Sequence, residues 1–142
     1  MLGVYDILAL VKRGKMPKEL EDTLPATYLA GLFRSARFGV HEAHGQGVVS
    51  QFNYLEEQGA IAVDADGKFR VVTAKFPEAI KKLLNAYLML EARGDYAGTK
   101  AFLDKYGVAS PALLAAIDKL TDVPVDIRPL FPQADELAPE QP

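Results

Sequence analysis

The stretch Thr73–Arg93, TAKFPEAIKKLLNAYLMLEAR, followed by Gly94, carries the longest apolar repeat of the chain. Its apolar residues recur at spacings of three and four: Phe76, Ile80, Leu83, Leu84, Tyr87 and Leu88. This spacing places them on one face of an α-helix. Gly94 is the residue type that commonly ends helices. The stretch therefore predicts a long helix whose apolar face belongs to the core and not to a cofactor site.

Three further helices are predicted before this one. The first ends at Gly14 and has one apolar face, formed by Val4, Tyr5, Leu8 and Val11. The second has Thr23 as its predicted cap and Pro25 in its first turn. Its predicted buried face consists of Tyr28, Leu29, Leu32, Phe33 and Ala36. The third is predicted from about Glu42 to Gln58.

The apolar period changes at about residues 60–72. AIAV and KFRVV flank the turn DADG, and Asp66-Gly67 favours a tight turn, so a short β-hairpin is predicted there. Beyond the long helix, Asp95 caps a fifth helix that ends at Gly107, and Ser110 opens a sixth. Its predicted inward residues are Leu113, Leu114, Ile117 and Leu120. The fold class is thus mainly α, a bundle of about six helices with one small hairpin.

Length and composition bound the remaining choices. A chain of 142 residues is long enough for one domain with a core, and we assign residues 1–131 to it and 132–142 to a disordered tail. A net charge of −3 argues against nucleic acid or an anionic membrane as a main partner. The absence of cysteine excludes disulfides and thiolate metal sites.

Both histidines of the chain lie in the run RFGVHEAHGQG, residues 37–47. A zinc-binding helix places its two histidines at i and i+4, but His41 and His44 are at i and i+3. A third ligand would have to be a carboxylate, so no metal site is predicted within the chain. His44 is placed at the end of the inward face of the third helix. Gly45 and Gly47 beside it would let another backbone or a ligand approach closely.

Two arginines of the second helix, Arg34 and Arg37, are three residues apart. Together they could point at an anion or a carboxylate, which makes them candidate substrate-binding residues. The alternative, two solvated arginines, is favoured by the residue pattern alone.

Five runs of the chain resemble one enzyme family. They are TYLAGLFRSARFG (27–39), EAHGQG (42–47), QFNYLEEQGA (51–60), GDYAGTKAFLDKYGV (94–108) and VPVDIRPLF (123–131). In this order they resemble the C-terminal region of bacterial proteins of the dipeptidyl peptidase III family of zinc metallopeptidases, some of which are nudix-associated.

The resemblance implies a zinc site outside this chain. In the family, zinc is held by a HExxGH motif and by a glutamate of a later EExxAE-like motif, and neither motif occurs here. The second motif immediately precedes a segment similar to LGVYDILAL (2–10), so the chain is expected to be a C-terminal fragment of a larger catalytic lobe. The first helix agrees with this expectation, because no capping residue precedes it.

The resemblance also assigns a role to His44, which matches a family histidine that contacts the substrate near the zinc. Some members have an arginine four residues later, where this chain has Val48, so that contact is in doubt. His41 has no counterpart. The implied partners are a peptide substrate and the remainder of the catalytic domain. The sequence does not decide between a cytoplasmic and a periplasmic location, since the first part of the protein is expected to be missing.

The leading hypothesis is therefore a cleft-wall fragment of a zinc peptidase that is inactive alone and binds no zinc itself. The main alternative is a free-standing helical interaction module without catalysis. The apolar face of the first helix is expected to pack on the chain's own helices or to pair with a second copy in a homo-oligomer. A third reading, a winged-helix nucleic-acid binder, is disfavoured by the acidic charge balance.

Overall fold

The computed structural model describes residues 1–126, 131 and 133. Within residues 1–126 the chain forms six helices and one two-stranded antiparallel sheet, as the sequence predicts. The elements are α1 (Leu2–Lys12), α2 (Leu20–Ala36), α3 (Ala43–Glu57), β1 (Ile61–Val63), β2 (Phe69–Val71), α4 (Phe76–Arg93), α5 (Tyr96–Tyr106) and α6 (Pro111–Asp118). The predicted tail, 132–142, lies outside the described residues except for Gln133.

The core is built around α3 and the first three turns of α4. Four residues of α4 have at most 3% of their surface exposed: Phe76, Ala79, Ile80 and Leu83. They pack with α3, with the apolar faces of α1 and α2, and with Leu113 of α6. Since each such side chain contributes roughly 1.5–3 kcal/mol when fully buried, this cluster is the main source of stability.

The long helix is less buried at its C-terminal end than the apolar repeat predicts. Leu88 is exposed, and Met89 beside it is also exposed. The prediction was wrong there because α4 extends past the core that α3 covers. Leu114 of α6, predicted to point inward, is likewise exposed, and in α6 only Leu113 is fully buried.

The start of α2 also differs from the prediction. The helix begins at Leu20 and Pro25 lies inside it, buried. Thr23 is therefore not a cap, and its hydroxyl donates to the Glu19 carbonyl oxygen at 3.1 Å. The prediction failed because a proline near a threonine is typical of a first helical turn. Here the acidic residues Glu21 and Asp22 fill the first turn instead, where they interact favourably with the helix dipole.

The hairpin is confirmed, and the structure gives its register. Ile61 pairs with Val71 and Val63 with Phe69, and Gly67 has a φ of +77° in the turn between the strands. This conformation suits glycine because a side chain there is strained. The sheet covers one end of the core, because the Phe69 ring contacts both Phe33 and Phe52 edge-on.

Both predicted caps of the last helices are confirmed. The Asp95 carboxylate accepts from the Gly98 amide at 2.8 Å, and the Ser110 hydroxyl accepts from the Leu113 amide at 3.2 Å. Each such cap stabilises its helix by about 1 kcal/mol. The side-chain amide of Asn53 in α3 donates to two carbonyls at the end of α5, those of Tyr106 and Val108. These bonds fix the α5–α6 connection to α3.

The apolar face of α1 packs on the chain's own helices, as expected. Leu8 and Val11 are buried and Tyr5 is partly buried against the core. This packing removes the reason for expecting a homo-oligomer through that face. Among the described residues, no helix has the length and apolar character needed to cross a membrane.

A polar cluster links α3 to α5 and gives a pH-dependent prediction. Glu57 accepts hydrogen bonds from Lys105 and from the Tyr106 hydroxyl, at 3.1 and 2.8 Å. These bonds lower the pKa of Glu57 from 4.5, and the bond from Lys105 has the larger effect. Bonds to Tyr106 and Glu57 in turn raise the pKa of Lys105 to about 12.

We expect Glu57→Gln to lower the free energy of unfolding at neutral pH. Because the folded-state pKa of Glu57 is depressed, its stabilising effect is fully present above the ordinary value and is lost as the pH falls through the folded value. Urea denaturation of both proteins from pH 7 to pH 3 should show the difference shrinking. The control is Glu91→Gln on the exposed end of α4. A difference that stayed constant across this range would contradict the role of the ionised carboxylate.

Candidate functional site at the start of α3

His44 is the second residue of α3, and its side chain is exposed. The prediction that it lies on the inward face was wrong. The buried residues of the helix are Gly45, Val49, Ser50, Phe52 and Leu55. The inward face therefore starts one residue later than predicted, and it turns His44 away from the core toward solvent.

Gly45, and not His44, faces inward because the backbone of a neighbouring loop lies close to Gly45. A Cβ atom built on Gly45 would lie 2.7 Å from the Gly39 carbonyl carbon and 2.9 Å from the Val40 Cα. The loop between α2 and α3 thus packs directly on the glycine, as the hypothesis of a close approach requires. Gly39 itself has a φ of +133°, a conformation that favours glycine. At Gly47, by contrast, nothing lies within 4 Å of such a Cβ.

The next turn of α3 is held by a network of side-chain hydrogen bonds. The Gly47 carbonyl accepts from the Ser50 hydroxyl at 2.9 Å and from the Gln51 side-chain amide at 3.0 Å. Ser50 is fully buried and also hydrogen-bonds the Tyr87 hydroxyl of α4. The Gln51 side-chain oxygen accepts from the Tyr28 hydroxyl of α2. Three helices are thereby joined one turn beyond His44.

Burial controls the ionisation of the two tyrosines in this network. It raises the pKa of Tyr28, with a smaller contribution from Tyr87, and it also raises the pKa of Tyr87 itself. Both phenols therefore stay neutral at physiological pH and act as hydrogen-bonding groups that hold α3. This network was not predicted from the sequence. Its signals were Ser50 and Gln51, polar residues on or beside the apolar side of the helix.

The imidazole of His44 makes no hydrogen bond to any residue in the described part of the chain. Its backbone is nevertheless well fixed, by the Gly39–Gly45 contact on one side and the Gly47 network on the other. An exposed ring on a fixed backbone is available to a group outside this chain. His41 is also exposed, but it lies in the turn before the helix.

The candidate arginines have other roles in this structure. The Arg37 guanidinium donates to the carbonyl oxygens of Leu120, Val123 and Pro124, beyond the end of α6. The Arg34 guanidinium lies 5.5 Å from the ring centroid of Phe38. Both line a groove between α2, the hairpin turn and α6, and His44 does not line that groove. The structure thus does not bring the predicted site residues together.

No group of three or more histidine, aspartate or glutamate side chains comes together as a metal site among the described residues. The donors available here do not fit a self-contained zinc site.

Two solved structures are similar to the whole described fold. Dipeptidyl-peptidase III from Corallococcus sp. strain EGB matches with 41% sequence identity and a TM-score of 0.88, over 95% of this chain and 25% of that one. DPP III from Caldithrix abyssi matches with 38% identity and a TM-score of 0.87, over 96% of this chain and 26% of that one. The predicted resemblance to dipeptidyl peptidase III is confirmed as similarity to a region of these proteins.

A curated relative carries a different name. The chain is 37% identical over 139 residues to Nudix hydrolase 3 from Arabidopsis thaliana. The match covers 96% of this chain but 18% of that protein. No protein-family model matches the chain. The chain thus spans about a fifth to a quarter of the length of the proteins it resembles.

Proposed function

We propose that this chain is the C-terminal part of a larger dipeptidyl peptidase III-like zinc hydrolase, in which it forms part of the wall of the substrate cleft. The observation that carries the proposal is the match to two such proteins at 38–41% identity and TM-scores of 0.87–0.88 over nearly the whole chain. Similarity at this level over 95% of the chain argues for a shared role of the segment. The remaining three quarters of the enzyme would supply the other cleft wall.

His44 is the residue that we expect to face the substrate. Its ring is exposed, has no partner among the described residues, and sits on a backbone fixed from both sides. An imidazole N–H placed there can donate a hydrogen bond to the carbonyl oxygen of the scissile peptide as negative charge develops on it. A donor is effective in this role because it is held in place before the reaction starts.

We propose that zinc in the intact protein is held by ligands outside the described residues. Among residues 1–126, 131 and 133, histidine, aspartate and glutamate side chains form no group of three that could hold a metal, and structural or catalytic zinc needs at least three protein ligands. We therefore assign no zinc-dependent step to any residue described here.

The alternative is an interaction module without catalysis. It is supported by three exposed apolar side chains near the α4–α5 junction, those of Leu88, Met89 and Tyr96. Exposed apolar side chains are also what a contact with the remainder of a catalytic lobe would use. Zinc content and activity of the longer protein separate the two readings.

We expect the 142-residue chain to bind no stoichiometric zinc and to hydrolyse no peptide. The histidine spacing and the missing third ligand are the reasons. Calorimetric titration with zinc would measure the first property and release of dipeptides from an oligopeptide the second. The longer protein that contains this chain should bind zinc and release dipeptides, with both lost on chelation.

Two outcomes would contradict these expectations. Tight binding of one zinc by the 142-residue chain, abolished in His41→Ala and His44→Ala, would place a metal site here. A longer protein that binds no zinc and releases no dipeptide would refute the peptidase proposal and favour the interaction module.

A further inference from the structure

A groove of about 970 Å³ lies between α2, the hairpin turn and the end of α6. One wall is α2 with Arg34, the second is the hairpin turn with Lys68, and the third is α6 with Lys119. Residues 123–126, which follow α6, also line it. Phe33, Phe69 and Leu120 form an apolar floor. The groove is large enough for several residues of a peptide.

The charged rim of the groove is net positive. It has four cations, Arg34, Arg37, Lys68 and Lys119, against two carboxylates, those of Asp66 and Asp126. Asp66 is already paired with Lys68 at 2.7 Å. Arg34 and Lys119 form no ion pair with a carboxylate of residues 1–126, 131 and 133. The groove therefore presents two cations that can receive acidic groups.

The groove already binds backbone of this chain, in the segment that follows α6. Arg37 donates to the Leu120 carbonyl at 3.0 Å and the Pro124 carbonyl at 3.5 Å, and it also contacts the Val123 carbonyl. One arginine thus ties three carbonyls of the segment that leads toward the C-terminal residues. The chain that follows begins at the edge of the groove.

We infer that the acidic C-terminal segment 134–142, ADELAPEQP, binds back into this groove. The segment contains three carboxylates and no cation: Asp135, Glu136 and Glu140. Leu137 between them supplies an apolar side chain for the floor. Charge and polarity therefore match the groove, and the inference does not depend on the proposed peptidase activity.

The length of the connection permits this return. Seven residues, 127–133, separate the groove edge from the segment and can span at most about 25 Å. Phe131 is exposed, so it is the segment beyond it that we assign to the groove. A short tether gives the segment a local concentration on the order of millimolar, so a weak electrostatic contact suffices to fill the groove.

The absence of cysteine gives a clean test in the full chain. A spin label on Gln141→Cys should broaden the amide NMR signals of groove residues such as Gly67 and Lys119. The broadening should be largely lost in Arg34→Glu/Lys119→Glu and reduced at high salt, because the contact is electrostatic. The matched control, Lys15→Glu/Lys18→Glu, makes the same charge change in the exposed α1–α2 connection and should keep the broadening.

Two results would overturn the inference. If the labelled chain does not broaden the groove signals, the segment does not occupy the groove. If a spin-labelled chain broadens the groove signals of a separate isotope-labelled chain as strongly as its own, the occupant is a second copy. A circular dichroism spectrum unchanged in the double variants shows that the fold is retained.

Discussion

Replacing Gly45 with alanine is expected to lower the free energy of unfolding by about 2–3 kcal/mol, the upper range for overpacking a tightly packed site. The new Cβ would lie 2.7 Å from the Gly39 carbonyl carbon and 2.9 Å from the Val40 Cα. Both atoms belong to the backbone and cannot rotate away. Either the α2–α3 loop or the first turn of α3 must therefore move.

Gly47→Ala is the matched control, two residues along the same helix. A Cβ there meets nothing within 4 Å, so alanine should raise the free energy of unfolding by roughly 0.5–1 kcal/mol through its better helix propensity. Urea denaturation of the two variants would measure effects of opposite sign. Equal effects would mean that the Gly39–Gly45 contact does not exist in solution.

The fold could be predicted from the sequence because its determinants are local. The apolar repeat of α4, the caps Asp95 and Ser110, and the Asp66-Gly67 turn each specify their element within a few residues. The start of α2 could not be predicted from the sequence. A threonine followed by a proline is typical of a helix start, but it is also compatible with a helix interior. The exposure of Leu88 and Leu114 depends on where the neighbouring helices end. The spacing of apolar residues within one helix carries no information about that.

The candidate site was predicted less well because contacts outside the helical repeats decide its geometry. The orientation of His44 is decided by the approach of the Gly39 carbonyl, in the α2–α3 loop, to Gly45 of α3. The partners of Arg37 lie more than 80 residues away, at Leu120 and Val123. Arg37 was predicted to be either solvated or substrate-binding. The spacing of residues along α2 could not indicate that it binds the segment after α6.

In the longer protein, His44→Ala is expected to lower turnover by on the order of 10²-fold, the effect of removing one donor to a developing oxyanion. Because the lost interaction strengthens as charge forms, kcat should fall by more than the zinc content or the apparent affinity for substrate. The exposed position of the ring means that stability should change little. Steady-state kinetics on a peptide substrate, with zinc measured in parallel, would test both expectations.

His41→Ala is the internal control for this prediction. His41 is exposed like His44 and only three residues away, but it precedes α3 and its backbone carbonyl contacts the Gln46 side chain at 3.4 Å. Its removal should leave kcat within about twofold of the original, a change of about 0.4 kcal/mol in activation free energy, because His41 is not expected to contact the reacting carbonyl. Normal turnover in His44→Ala would show that this ring does not contact the reacting carbonyl. An equal loss in both variants would point to a shared effect of the 41–44 turn, and the specific role of His44 would fail.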